Sequence, residues 1–565
     1  MAHEDFSLYR RTLLNRQHQY DASIRLGEYT PFLYPWDTLP ALYLLLAVAI
    51  TPRLPLSIAR TARYIAFILV LLHGAYVVSR RRTLWFAGGY GIGLSSAWGI
   101  IMSGAVLVCN DLEHDFKRLE TRVVRSGPGD HQPNRSASHS ISSDVGKSVG
   151  VLRQKVASVD APTNSKQRSS DILEQPATRP YRLVWQGFPY GDGLLHLTDW
   201  TVDLMTSFRG VGWKHRISTV KSIDAPIQPD REGEVRQSRT DEEPKPRSIS
   251  AQNLRSLQRR AVQDFMTNYL LLDLLKTMFI TDPYFLGLAP LESPTPWHWL
   301  GHLNETLPIA TRLVRLSLSM AGVIAALSLI FSLSPLFFGT ILPSLIDTSK
   351  LTKAPLLEPG LYPPMWYPLT TSVMYSGLAG FWGKFWHQMF RFGISEPSRV
   401  LVKKLRLDPR GNVARMMQLL IAFGLSGTIH ALGSYTTFSL QQSHPLSGPL
   451  LFFLLQALGI FLQTSVVTVG NTRLSWTRKT PLAVRQTINL LFVLTWLYFT
   501  GPLLADDFAH CGIWLFEPVP ISPLRGLGFG PGGKDEGWWT WYQEGSRLMG
   551  LWKGEKWWER ALAIY

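Results

Sequence analysis

The chain has 565 residues, 46% of them hydrophobic, with 20 Trp, 27 Phe and a formal net charge of +16. That apolar load is too great for a string of soluble domains, and the mean hydropathy of +0.03 reflects long apolar runs alternating with strongly polar stretches. The basic residues lie along loops beside those runs and do not gather with aromatics in one polar domain. This argues against a nucleic-acid partner and for a multi-pass membrane protein with positively charged cytoplasmic loops.

In chain order, Met1 to Tyr34 has no early apolar core, so no cleavable signal peptide is expected. Apolar runs follow at Leu39–Ile50, short for a bilayer core of roughly 30 Å, then at Tyr64–Val78 and Thr83–Cys109; together these make an N-terminal membrane region, 1–119. Residues 120–182 and 222–253 are rich in Ser, Arg, Pro and Gln and read as polar linkers. Between them the island 183–221 carries the aromatic and Gly content of a folded segment. Asp264–Ile280 reads as an interfacial or marginal helix, because two Asp and a Lys interrupt it. Spans are expected near Leu316–Leu342, Trp366–Trp382, Met416–Tyr435, Leu446–Gly470 and Thr487–Leu504, inside a core domain 254–507 followed by a Trp-rich interfacial tail, 508–565. Cys109 and Cys511 lie too far apart in sequence to imply a disulfide framework.

Loop charge orients the second half. Arg391–Arg415 holds seven basic and two acidic residues and Asn471–Arg485 four basic and none acidic, while Thr436–Pro445 between their two spans has no charge at all. The basic loops therefore face the cytoplasm. On this count of crossings the sequon Asn304–Glu305–Thr306 is cytoplasmic and unused.

Two histidines carry the functional signal. His430 sits in ARMMQLLIAFGLSGTIHALG, about 21 Å along a helix that starts at Met416. An ionisable group there is costly, faces a protein interior or a wet cavity, and suits general-base work or an interhelical hydrogen bond. His387 lies in FWGKFWHQMFR, whose aromatic density suits an interface.

Taken together, FWGKFWHQMFR and, 43 residues beyond its histidine, SGTIHALG resemble the membrane-bound O-acyltransferase superfamily. The closest likeness is to its wax synthase-like branch, which includes fungal acetyltransferases of terpenoids and meroterpenoids. RGVGW at Arg209–Trp213 is similar to a segment of that fungal group. The resemblance implies an all-α, polytopic membrane bundle of about eight spans around a tunnel, in the endoplasmic reticulum membrane. It also implies acetyl-CoA as co-substrate, with no bound cofactor or metal, a lipophilic alcohol as acceptor, and contact with membrane lipid. His430 takes the place of the buried catalytic base. His387 stands where plant wax synthases have Asn, and is expected to position substrate or polarise the thioester. Trp382, Trp386 and Arg209 are carried over as substrate-binding residues. Lys384, Arg391, Arg399, Lys403 and Lys404 are read as topology-setting charges as readily as phosphate contacts.

His298 and His302 have metal-chelating spacing but no second histidine box, and GFGPGGK at 528–534 lacks the residues of a phosphate loop. Within enzymes, a long-chain wax-ester synthase is the other reading. Outside them stands a transporter, which would show matched halves, or a scaffold, which would tolerate loss of His430.

Overall fold

The computed structural model describes residues 7–123, 181–223, 249–438, 443–475, 480–541, 548–554 and 560–565. Its helices are α1 (Leu8–Arg25), α2 (Leu39–Ile50), α3 (Leu56–Arg80), α4 (Tyr90–Ser103, prolonged by a π turn to Val108), α5 (Leu194–Thr206), α6 (Ala251–Phe279) and α7 (His298–Thr306). They continue with α8 (Ala310–Leu336), α9 (Leu369–Gly380), α10 (Arg391–Lys404), α11 (Asn412–Thr436), α12 (Leu451–Leu474), α13 (Leu482–Thr500) and α14 (Pro502–His510). Six helical stretches among the described residues are long and apolar enough to cross a membrane: Leu56–Arg80, Tyr90–Val108, Ala310–Leu345, Asn412–Thr436, Leu446–Arg473 and Leu482–His510. The protein is a multi-pass helical bundle. Helices are what a lipid solvent demands, since each backbone group must find its partner within its own segment.

Polar contacts sort the helix ends onto two faces. On the basic face, Arg399 of α10 donates to Asn110, just beyond α4 (2.8 Å). On the opposite face, Gly93 N–H near the start of α4 donates to Thr436 at the end of α11 (2.9 Å). There too Arg312, in the first turn of α8, donates to the carbonyl of Tyr498 at the end of α13 (3.1 Å).

The run Trp366–Trp382, expected to be a full span, does not cross. Its helical part, α9, has 12 residues broken at Gly377 (φ 58°, ψ −140°). Ahead of α9, Lys353 pairs with Asp192 (2.9 Å) and the Tyr367 hydroxyl donates to the carbonyl of Thr219. Beyond it, Phe392 packs on His215 (ring centroids 4.7 Å). Both flanks dock on one island, so α9 enters from the basic face and returns to it. This moves one crossing out of the count. The start of α8, and α7 with Asn304 before it, lies opposite the basic face, which reverses the sequence expectation for that sequon.

Helix α6, marginal by composition over Asp264–Ile280, is not among the six apolar stretches. It runs beside α8 from the basic face, where Leu257 lines a cavity, to the far face, where Lys276 Nζ donates to the carbonyl of Trp514 (2.6 Å). Its charges are tolerated because each is matched. Asp273 accepts from Ser522 and from Leu524 N–H (3.0 Å), and Lys276 faces Glu517 (3.8 Å), itself bonded to Arg525 (2.7 Å).

Most of 120–182 and 222–253 lies outside the described residues, but the margins are ordered. Strands β3 (Arg118–Val123) and β4 (Tyr181–Gln186) pair antiparallel with Leu119 opposite Trp185, so the island begins at Tyr181 and is joined to the N-terminal region by a ladder. Small sheets, absent from the all-helical expectation, form outside the spans. On the far face β1 (Thr30–Tyr34), β2 (Arg81–Arg82), β5 (Met549–Trp552) and β6 (Ala561–Ile564) stack in the order β2-β1-β6-β5. In the tail, Trp538 and Trp539 are exposed, Trp541 Nε1 donates to the carbonyl of Glu517 (3.0 Å), and Trp557 and Trp558 lie outside the described residues.

Candidate active site

The re-entrant segment builds the first half of the site. Breaking α9 at Gly377 frees backbone groups at membrane depth, and side chains from the neighbouring spans recover them. Gln463 Oε1 accepts Leu378 N–H (2.9 Å), Gln463 Nε2 donates to Asn489 (3.1 Å), and Asn489 donates to the carbonyl of Met374 (2.9 Å). A Cβ at Gly377 would lie 2.1 Å from Gln463 Nε2, on a backbone that L residues avoid. Gly377→Ala is therefore expected to cost about 1–3 kcal/mol, read as a lower melting temperature of the solubilised protein. An unchanged melting point would show that the kink is dispensable.

After the break the chain tightens into a π turn, Phe381–Phe385, and leaves helical geometry at Trp386. Gln388 Nε2 donates to the carbonyls of Trp382 (2.9 Å) and Trp386 (2.6 Å), while Arg391 donates to the carbonyl of Gly383 (3.0 Å) and to Gln388 Oε1 (2.9 Å). Irregular backbone of this kind survives in a bilayer only when protein groups satisfy it. Arg391 is thus an internal clamp and not a free phosphate contact. Arg399 likewise is paired with Glu396 and Asn110.

His387 projects from this clamped turn among Trp366, Trp386 and Phe390, with ring centroids at 6.0, 5.2 and 5.7 Å. Its Nδ1 is buried and has no hydrogen-bond partner among the described residues. His430 comes from α11, and its Nδ1 lies 2.8 Å from the carbonyl of Ser426, one turn earlier. A carbonyl can only accept, so Nδ1 carries the proton and Nε2 keeps its lone pair. Phe453 of α12 lies against the His430 ring (centroids 4.5 Å, planes 35° apart) and is 3% exposed.

The two imidazoles are linked by the aromatic series Trp386, Trp382 and Phe453 at 5.6 Å per step. Trp382 also meets Phe423 and Phe452, and its Nε1 donates to the buried Gln456 (3.3 Å). Of the five residues singled out from sequence, His387, His430, Trp382 and Trp386 come together in one cluster.

Arg209 stands apart from them, at the wall of an open cavity of about 1100 Å³ on the basic face. Its guanidinium donates to the carbonyls of Pro364 (2.8 Å) and Pro363 (3.0 Å). The cavity reaches Trp366 and Met389, which flank His387 in space and in sequence. Gly210 and Gly212 of RGVGW take φ of 63° and 76°; this corner buries Trp213 against Trp200 (5.1 Å) and sets the angle at which Arg209 meets the cavity. Close by, burial pushes the His215 imidazole down to about 3, so it is a neutral packing ring.

Sequence reasoning missed Trp366, Phe453, Gln388 and the Ser426 carbonyl. Trp366 carried a signal in its place at the head of the aromatic run. The others become visible only once α11, α12 and the re-entrant turn are set side by side. His298 and His302 are on α7, where His302 Nδ1 is 3.7 Å from Glu305, in solvent.

Residues 362–455 match the membrane bound O-acyl transferase family. The acetyltransferase ple2 of Rhodocybe pseudopiperita is 34% identical over 128 residues, 22% of this chain and 31% of that protein. The acetyltransferase eriL of Hericium erinaceus is 32% identical over 148 residues, 26% and 37% of the respective chains. The acetyltransferase fsoF of Humicola fuscoatra is 29% identical over 169 residues, 28% and 38%. The matched region spans about a third of the length of these curated relatives. No solved structure matches the chain. The stretch that builds the paired-histidine site is thus the part of the chain that matches the membrane bound O-acyl transferase family.

Proposed function

We propose that the protein is an O-acetyltransferase of the endoplasmic reticulum membrane, which moves acetyl from acetyl-CoA to a hydroxyl of a lipophilic secondary metabolite of terpenoid or meroterpenoid type. The carrying observation is the His430 ring, fixed by the Ser426 carbonyl with Nε2 free, beside His387 in the family-matched stretch. The relatives' names supply the acetyl group.

In this reading the acceptor O–H gives its proton to His430 Nε2 as its oxygen attacks the thioester carbon. The resulting oxyanion collapses, the carbon–sulfur bond breaks, and the thiolate leaves with the proton from His430. The unpaired nitrogen of His387 is available to hold the thioester or the acceptor. The Gln388–Arg391 clamp keeps that ring in place, as a reacting geometry requires. Trp382 and Trp386 wall the reacting centre. Coenzyme A approaches through the cavity on the basic face, where Arg209 offers a cation, and the apolar alcohol arrives through the bilayer.

The test is acetyl transfer by membranes carrying the full chain, given labelled acetyl-CoA and a panel of terpenoid alcohols. Product that depends on His430 supports the reading, and its absence across a broad panel refutes it. Phe453 supports the short acyl group, since a long donor chain would have to displace its ring. For Phe453→Ala, the kcat/KM ratio of hexanoyl-CoA to acetyl-CoA is expected to rise by roughly tenfold or more. An unchanged ratio would take Phe453 out of the donor's path.

A further inference from the structure

We infer that Asn304 is an N-glycosylation site on the lumenal side of the membrane. The inference rests on the proposed endoplasmic reticulum location and is independent of the acyl transfer.

Asn304–Glu305–Thr306 satisfies the acceptor rule, with no proline at the middle position. Its side of the membrane follows from contacts. Helix α13 starts within the basic stretch Asn471–Arg485, and its far end, at Tyr498, accepts a hydrogen bond from Arg312 of α8 (3.1 Å). One residue before Arg312, Thr311 N–H donates to Asn304 Oδ1 (3.3 Å). The sequon is thus tied to the end of α8 that lies away from the basic loops. The start of α6 on the basic face and the return of α9 to that face give the same parity from either direction along the chain. With the basic face in the cytoplasm, Asn304 is lumenal.

The site also stands clear of lipid. The stretch Ala310–Leu345 has 36 residues, about 54 Å of helix against a hydrocarbon core of roughly 30 Å, so its ends project into water. Glu305, inside the sequon, has a side chain 76% exposed. Asn304 Nδ2 has no hydrogen bond among the described residues, while Oδ1 holds the turn into α8. In the transfer, Nδ2 loses a proton and bonds to the first sugar carbon of a lipid-pyrophosphate-linked oligosaccharide. The sugar–phosphate bond breaks, and the lipid pyrophosphate leaves.

The experiment is electrophoresis of the full chain from microsomes before and after peptide N-glycosidase F. The untreated protein is expected to drop by one glycan on digestion. Asn304→Gln and Thr306→Ala should run at the digested position without treatment, and Thr306→Ser should keep the shift. The sequence holds a second sequon, Asn134–Arg135–Ser136, outside the described residues, so Asn134→Gln must also keep it. No shift in the parent chain, or one that survives both Asn304→Gln and Thr306→Ala, overturns the assignment. Carbonate extraction and co-fractionation of the same membranes report insertion and compartment separately, so a wrong site is distinguishable from a wrong location.

Discussion

Replacing His430 with alanine is expected to lower acetyl transfer by roughly 10²–10⁴-fold, the range for loss of a positioned general base, with the KM for acetyl-CoA little changed. The Ser426 carbonyl fixes the proton on Nδ1, so removing the ring takes away the nitrogen lone pair assigned to the alcohol proton. His430→Gln is the sharper variant. It sets an amide near the place of Nε2, but an amide nitrogen cannot accept a proton, so it should be as inactive as alanine. His387→Asn should keep much of the activity, because a positioning role needs a hydrogen-bonding group and not a titrating one. Membranes with equal amounts of each variant, assayed with labelled acetyl-CoA, decide the matter. Full turnover by His430→Ala would remove this residue from the chemistry.

The largest effect on stability is expected at Arg315. Its fork meets Asp282 through two bonds, Nε to Oδ2 at 2.9 Å and Nη2 to Oδ1 at 2.8 Å, and Nη1 reaches the carbonyls of Leu291 (2.7 Å) and Ser293 (2.8 Å). Both side chains are 0% exposed. Arg315→Met would strand a buried carboxylate and several carbonyls, at a cost of about 3–5 kcal/mol. Arg315→Lys keeps the charge but not the bidentate fork and should fall in between. Arg315→Met combined with Asp282→Asn should recover part of the loss, since the penalty comes mainly from the uncompensated charge. Thermal unfolding of the solubilised protein reads all three. Equal melting points for Arg315→Met and the double variant would mean that Asp282 is not the source of the cost. Because Arg315 lies away from the histidines, activity should fall with the folded fraction while KM stays constant.

The long spans were legible because hydropathy and helix length report the same constraint. Met416–Tyr435 and Leu446–Gly470 lie within the helical stretches Asn412–Thr436 and Leu446–Arg473. The run Trp366–Trp382 misled because its composition is that of a span. What makes it return is the single backbone angle at Gly377 and the glutamine waiting on another helix, and neither leaves a mark in local hydropathy. Helix α6 shows the opposite case. Its Asp273 and Lys276 count against a span until Ser522, Glu517 and Arg525 are known to meet them.

At the site, both histidines stood out as ionisable groups in or beside apolar runs. The tautomer of His430 and the packing of Phe453 depend on distances that no spacing encodes. The far-face strands were missed because each is a handful of residues, and β1 finds both of its partners in remote parts of the sequence.

That remoteness bears on how the protein is made. Phe32 pairs with Ile564 across more than five hundred residues, and Thr83 and Trp85 reach the carbonyl of Tyr565. Until β6 has been synthesised and delivered to the far side, β1 must wait with one edge unpaired, and an exposed strand edge is an invitation to aggregation. Assembly of this bundle thus ends in a slow, non-local closure.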